Sequence, residues 1–257
     1  MRRSLRPLFD GEILVERRAG GGRRVVVADR EGFARWIAHR LPEGLEPDLD
    51  GPPRSAAIAA FRDAKVARAA DAEPMLLRMF REAAVLRVGG APWSGVSLTA
   101  EAGCVAVLLS EGREVSLSGR IGVVENLEAF LYAERLGAGV DAAMYAAGRL
   151  SRRRLAWMAA QLDARWVHLG DYDPVGLCEY LRVASACEGR TELFVPPDLE
   201  SLVHRYSKAG LMEGSAEVWA RVRSSADPAV REVVGVLERH ARGLEHEILV
   251  RSDSVRN

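Results

Sequence analysis

Lysine is almost absent from this chain: Lys65 and Lys208 stand alone, and every other basic residue is arginine. Arginine's planar fork suits bidentate phosphate contact, but an equally Ala- and Gly-rich composition accounts for the bias as a coding preference, with no ligand required. Cysteine is sparse too. Cys104, Cys178 and Cys187 are odd in number and lack metal-ligand spacing, which argues against a disulfide framework or a zinc site and fits a reducing cytoplasm. Net charge is missing as well, since 36 basic residues balance 36 acidic ones, so contact with a polyanion must come from local patches. No stretch approaches the ~20 apolar residues of a membrane span. Arg2, Arg3 and Arg6 are followed by Asp10 and Glu12 where a signal peptide needs an apolar segment, so neither a membrane nor a secretory route is expected. The chain has no Gly-x4-Gly-Lys-Ser/Thr loop, no Gly-x-Gly-x-x-Gly fingerprint and no HExxH, which argues against nucleotide-powered, nicotinamide and zincin chemistry; His240 and His246 are discounted as transition-metal ligands for the last reason.

What is present is an ordinary globular composition, 48% hydrophobic and 28% charged over 257 residues, enough for two domains. The pattern predicts a boundary near residue 118. In 1–118, Glu12 to Val27 reads as a hairpin around the tip Ala19-Gly-Gly-Gly22, flanked by Arg17, Arg18, Arg23 and Arg24. Phe33 to Leu41 reads as a helix, Pro42 to Pro53 as a connector, and Ala56 to Ala72 with Pro74 to Val88 as a helix pair. Cys104 to Leu109 and Glu114 to Leu117 read as strands, so this half is a smaller α+β region, winged-helix-like in element order, suited to contacting DNA or a partner.

From Gly119 the texture changes to alternating strands and helices, the signature of an α/β parallel sheet with flanking helices. Strands are expected at Ile121–Val124, Ala142–Ala147, Trp166–Leu169 and Glu192–Val195. Helices are expected at Leu127–Leu136, Ser151–Leu162, Val175–Ala186, from Asp198 to Tyr206 and from Asp227-Pro228 to His240. Val230, Val233, Val234 and Leu237 form an apolar stripe on the last of these.

In open α/β sheets functional groups sit where strands end and helices begin. Glu125 directly follows the first of these strands; Asp171 and Asp173 follow the third, in Gly170-Asp-Tyr-Asp-Pro-Val-Gly176. Each alone has a plainer role, as a helix cap or a turn residue. Together, on one edge of a parallel sheet, they converge if the two strands are neighbours. Clustered carboxylates repel one another unless a hard cation such as Mg²⁺ or Mn²⁺ neutralises them, and phosphodiester cleavage uses such an ion. Gly170 and Gly176 allow close backbone approach. Arg149, Arg152, Arg153 and Arg154 surround the start of a helix, where the macrodipole disfavours cations, making them the candidate patch for DNA phosphates, or else a solvated charge run.

A Glu ending the first strand and Asp-x-Asp ending the third, followed by Pro and Gly, resembles the Toprim fold of topoisomerases, primases and OLD-type nucleases. Gly170-Asp-Tyr-Asp-Pro-Val-Gly176 is similar to the topoisomerase VI A-subunit branch. Within it, Val124-Glu-Asn-Leu127, Leu181-Arg182 and Leu244-Glu-His-Glu247 look most like JetD, the nuclease subunit of Wadjet plasmid-defence systems, over roughly Arg120 to Leu249. The resemblance implies a metal site of Glu125, Asp171 and Asp173, with Glu247 a further acidic residue of the C-terminal motif and no assigned role. It also implies a catalytic domain over 119–257 with a helical extension, DNA as substrate, a homodimer, and SMC-like partner subunits in a prokaryotic plasmid or phage defence system. The chain departs from that pattern in its shortness and in His246, which stands where the motif has Gln. The first tyrosine, Tyr132, already lies inside the Toprim-like region, so hydrolysis by metal-activated water is expected rather than a tyrosyl-DNA intermediate. The rival readings are a noncatalytic Toprim-like subunit that binds DNA or a partner, and a primase or RNA-processing enzyme.

Overall fold

The computed structural model describes residues 2–20, 22–45, 53–61, 71–213 and 216–251. The chain forms two compact units that divide between Asp71 and Ala72, well before the expected boundary at 118.

Unit 1 contains α1 (Arg2–Asp10), β1 (Leu14–Ala19), β2 (Gly22–Val27), α2 (Arg30–Arg40) and α3 (Pro53–Phe61). β1 and β2 pair antiparallel from Leu14↔Val27 to Ala19↔Gly22, which is the hairpin expected from the glycine tip. Asp29 starts α2 by accepting the Gly32 N–H at 2.9 Å. The expected helix from Ala56 to Ala72 is seen in part as α3; residues 62–70 lie outside the described residues, as does most of the 42–53 connector, and the expected end at Ala72 is instead the first residue of a strand.

Unit 2 runs β3 (Ala72–Met79), β4 (Val85–Val88), β5 (Ala91–Trp93), α4 (Gly95–Ala102), β6 (Val105–Ser110), β7 (Val115–Val124), α5 (Leu127–Leu131), β8 (Ala142–Tyr145), α6 (Arg152–Ala160), β9 (Ala164–Leu169), α7 (Pro174–Cys187), β10 (Thr191–Leu193), α8 (Leu199–Tyr206), α9 (Ala216–Arg223) and α10 (Pro228–His240), with a closing 3-10 turn at His246–Arg251. These strands make one mixed sheet in the order β10-β9-β7-β8-β3-β6, with β4 pairing β7 and β5 pairing β4. β7, β8, β9 and β10 are mutually parallel, whereas β3 runs antiparallel to β8 and β6.

The expected helix over Pro74–Val88 is therefore wrong. Met75, Leu77 and Met79 are almost fully buried and alternate with partly exposed neighbours, the period-two pattern of a half-buried strand. Pro74 is tolerated because β8 pairs only with Leu77–Met79, leaving the β8 side of position 74 without a ladder bond to lose. The two strands expected on either side of Ser118-Gly119 also fuse into the single ten-residue β7: its first part pairs with β4, and its last part lies between β8 and β9. Gly119, at φ +102°, sits 3.0 Å from Ala83 O and Ala84 Cα through the position a Cβ would occupy, so the strand continues there only because the residue is glycine.

Apolar side chains pack on both faces of the sheet. Ile121, Val123, Met144, Trp166 and Met158 cluster on one face, and Val124, Phe130, Leu169, Tyr172, Leu177 and the α10 stripe of Val230, Val233, Val234 and Leu237 on the other. Each fully buried large side chain contributes roughly 1.5–3 kcal/mol. The stripe on α10 is thus intramolecular packing. Among the described residues no helix is long and apolar enough to cross a membrane.

Candidate metal and phosphodiester site

The strand order reverses at β7. The chain passes from β7 to β8 on one side, then to β9 on the other and outward to β10, so the crevice beyond the carboxyl ends of β7 and β9 is a topological switch point. Val124 pairs with Leu169 as the last rung, and the Glu125 N–H donates to Leu169 O at 3.2 Å. Glu125 therefore leaves β7 beside Gly170, with Asp171 one residue further on. The expected neighbour relation of the two acidic strand ends is present.

Asp173 is the N-cap of α7, its Oδ1 accepting the Gly176 N–H at 2.7 Å, with Pro174 in the first turn. Gly176 is obligatory: a Cβ there would lie 2.2 Å from the Asp171 carbonyl oxygen. Gly170 is nearly as constrained, since a Cβ would fall 2.6 Å from His168 Nε2 and 3.1 Å from Glu125 Oε2.

A distant segment completes the rim. Tyr172 and Leu244 exchange backbone hydrogen bonds at 2.9 and 3.0 Å, the His246 N–H donates to Asp171 Oδ1 at 2.8 Å, and the Asn126 amide donates to Glu247 Oε1. Glu247 is thereby drawn to the same rim as Glu125 and Asp171, and its other oxygen, Oε2, is buried without a hydrogen-bond partner. Asn126 also caps α5 through the Glu128 N–H at 2.8 Å, so one side chain fixes both the helix and the acid.

Burial holds Asp171, Glu125 and Asp173 towards their protonated forms, and repulsion from neighbouring acids adds to it at Asp171 and Glu125. Burial is the main cause at Asp171, pushing its carboxyl up to about 7 despite the His246 amide, with Glu125, Glu247 and Asp173 adding in the same direction. Glu125 is raised by burial and then by Asp173, against the favourable Asp171 amide. Asp173 is raised by burial, against the amides of Gly176 and Val175.

These donors suit a hard cation: all are carboxylates, one buried oxygen is unsatisfied, and a positive charge would relieve every shift just described. The side chains are not, however, arranged as a ready ligand set. Among the described residues no group of three or more His, Cys, Asp or Glu is placed to hold a metal ion. Asp171, Asp173 and Glu247 each direct one oxygen at an amide instead.

Two buried histidines lie beneath the rim, and sequence reasoning assigned no role to His168. It shares a face of β9 with Trp166, and its ring lies tilted against that of Tyr180 with 5.7 Å between centroids. Burial drives its pKa down to about 4 and that of His246 to about 3, where His168 adds to the effect. Both are neutral imidazoles, and none of their four ring nitrogens has a hydrogen-bond partner. The signal in the sequence was a lone His inside the otherwise apolar run Trp166–Leu169.

The four arginines of the expected phosphate patch separate. Arg154 is 8% exposed and donates to Tyr145 O, Ala146 O and Pro74 O at 2.7–2.9 Å, while its Nε pairs with Glu73 at 2.8 Å, so it is occupied inside the unit and not free for phosphate. Arg149 is exposed and 3.6 Å from Glu179, an acid that itself raises the Glu125 carboxyl. Arg152 is exposed and Arg153 half-buried. Ser151 caps α6 through the Arg154 N–H at 3.0 Å, as expected.

Compared with family models, curated proteins and solved structures, the chain matches none of the three.

Proposed function

We propose that this protein is a Mg²⁺- or Mn²⁺-dependent DNA endonuclease with a Toprim-like catalytic unit, hydrolysing phosphodiesters without a tyrosyl-DNA intermediate. The observation that carries the reading is the convergence of Glu125 and Asp171 at the switch point between β7 and β9, with Asp173 and Glu247 on the same rim. Glu125, Asp171, Asp173 and Glu247 would hold the ion, which would supply Lewis acidity and activate water. The chain's own part is to bury these carboxylates and fix them from adjacent strand ends and a helix cap. Arg149, beside Glu179 at the edge of this rim, is the arginine of the original patch best suited to a DNA phosphate. The resemblance to JetD extends the proposal to a cytoplasmic homodimer acting with SMC-like subunits in plasmid or phage defence.

A noncatalytic, DNA- or partner-binding subunit is the second reading. It is favoured by the absence, among the described residues, of side chains already set for metal. Incubation of the purified chain with supercoiled plasmid and Mn²⁺ separates the two: nicking lost in Asp171→Ala supports the enzyme, and intact plasmid alongside retained DNA binding supports the subunit.

A further inference from the structure

The β1–β2 hairpin places four arginines in two successive cross-strand rungs, Arg17 opposite Arg24 and Arg18 opposite Arg23. Directly opposed like charges destabilise an antiparallel pair. Because side chains alternate between the faces of a strand, Arg17 and Arg24 share one face with Val15, Ala19, Gly22 and Val26, and that face carries no carboxylate. The opposite face holds Glu16, which pairs with Arg23 at 3.2 Å. Among the described residues Arg17, Arg18 and Arg24 have no ion-pair partner. From Glu16 to Gly20 and from Gly22 to Val25 every described residue is exposed, so the ribbon is solvated on both faces.

The base of the ribbon is anchored. Leu14 is buried beside α1, where Leu8 is buried too, and Ile13 O accepts the Ala28 N–H at 2.9 Å. Gly20, at φ +59°, lets the tip turn tightly and keeps it narrow. Charge is also unevenly divided between the units: residues 1–71 contain fourteen basic and eleven acidic residues, leaving twenty-two and twenty-five for residues 72–257. The zero net charge of the chain thus conceals a basic unit carrying a protruding arginine ribbon and an acidic unit carrying the carboxylate rim.

We infer that the β1–β2 hairpin is a duplex-DNA-binding arm, with Arg17 and Arg24 contacting backbone phosphates on one face of the ribbon. The shape selects the polyanion. Two strands about 5 Å apart, with their side chains, fit the roughly 12 Å major groove of B-form DNA. The deep, narrow major groove of A-form RNA does not admit such a ribbon. Phosphate oxygens between Arg17 and Arg24 would convert a repulsive rung into two charge-assisted contacts. This inference stands on unit 1 alone and is tested without cleavage, so it survives or fails independently of the nuclease reading.

The test is fluorescence anisotropy of the full chain with labelled 30-base-pair DNA of two unrelated sequences, in EDTA, across a salt series. Wild type should bind both sequences equally. Arg17→Gln/Arg24→Gln should weaken binding at least tenfold and flatten the dependence of log K on log salt by about two, the value for two lost phosphate contacts. Arg17→Lys/Arg24→Lys should retain most of the affinity, and Glu16→Gln, which frees Arg23, should tighten it. Arg87→Gln/Arg113→Gln removes the same charge from unit 2 and should leave binding within twofold. Overlapping far-ultraviolet spectra and melting curves would show that the exposed changes leave folding intact. No duplex binding by wild type, an equal loss in the unit 2 control, or tighter binding to duplex or single-stranded RNA than to DNA would each overturn the inference.

Discussion

The backbone N–H of His246 donates to Asp171 Oδ1 at 2.8 Å, which binds a residue of the closing segment to the loop after β9. This bond and the Asn126 contact bring Glu247 into the field of Asp171 and Glu125, where its charge opposes ionisation of both. Glu247→Gln removes that charge while leaving an oxygen for the Asn126 amide. The Asp171 carboxyl should then titrate below about 7, and Glu125 should follow in the same direction. Carboxyl ¹³C shifts followed against pH in metal-free protein read the change directly; an unchanged or raised Asp171 midpoint would show that Glu247 does not act on it.

Asp171 makes stability depend on pH. Its carboxyl rises from an ordinary 3.8 to about 7 in the folded chain, so its favourable contribution is complete below 3.8 and is lost as pH climbs through 7. Asp171→Asn abolishes that loss. The variant should be more stable than wild type at pH 8 by a few kcal/mol, at about 1.4 kcal/mol per tenfold change in proton affinity, and indistinguishable from it near pH 4. Urea melts at pH 4, 6 and 8 in EDTA check this. A wild type more stable than the variant at pH 8 would contradict the assigned burial cost. Adding Mn²⁺ at pH 8 should then raise the melting temperature of wild type alone if the rim takes a cation.

Arg154 is an internal strut. Replacing it with methionine leaves Glu73 without its cation and three carbonyls, of Pro74, Tyr145 and Ala146, without their donor. Breaking a buried ion pair by removing one partner costs about 3–5 kcal/mol, so Arg154→Met should unfold at markedly lower denaturant. Arg152→Gln, on an exposed neighbour, should shift stability by less than about 0.5 kcal/mol. Equal midpoints for the two variants would return Arg154 to the surface.

Gly170→Ala tests the closeness of the rim. The added methyl falls 2.6 Å from His168 Nε2, below any tolerated contact. Overpacking of this kind costs about 1–3 kcal/mol, and the same group lies 3.1 Å from Glu125 Oε2, so the Glu125 carboxylate must move. A thermal melt and a Glu125 carboxyl shift identical to those of wild type would rule out the packing described here.

Much of unit 2 was legible because its signals are local. Ser151 and the Asp227-Pro228 pair each announced a helix start, and each caps one; Asp173, which the sequence offered as a turn residue, proves to cap α7. The placement of Glu125 and Asp171 at neighbouring strand ends was legible because strand-end acids are visible once the strands are. The β3 region misled because Met75, Leu76, Leu77, Met79 and Phe80 satisfy a helical period as well as an alternating one, and only pairing with β6 and β8 decides between them. The break expected at Ser118-Gly119 followed from treating glycine as a boundary, when here it lets a long strand pass close to Ala83 and Ala84. Arg154 looked like a surface cation because nothing nearby in sequence reveals Glu73 as its partner. The tie between Tyr172 and Leu244, and with it the position of Glu247, depends on tertiary pairing that no local pattern encodes.

That tie sets a timetable for the acidic rim. The strand ends bearing Glu125 and Asp171 emerge from the ribosome long before Leu244, yet the loop between β9 and α7 gains its bridging hydrogen bonds only when Leu244 arrives. A nascent chain halted anywhere before that residue holds two of its acids on an unbraced loop and lacks the fourth entirely. A chain that stops short of Leu244 can therefore make neither the Tyr172 pairing nor the contacts that seat Glu247.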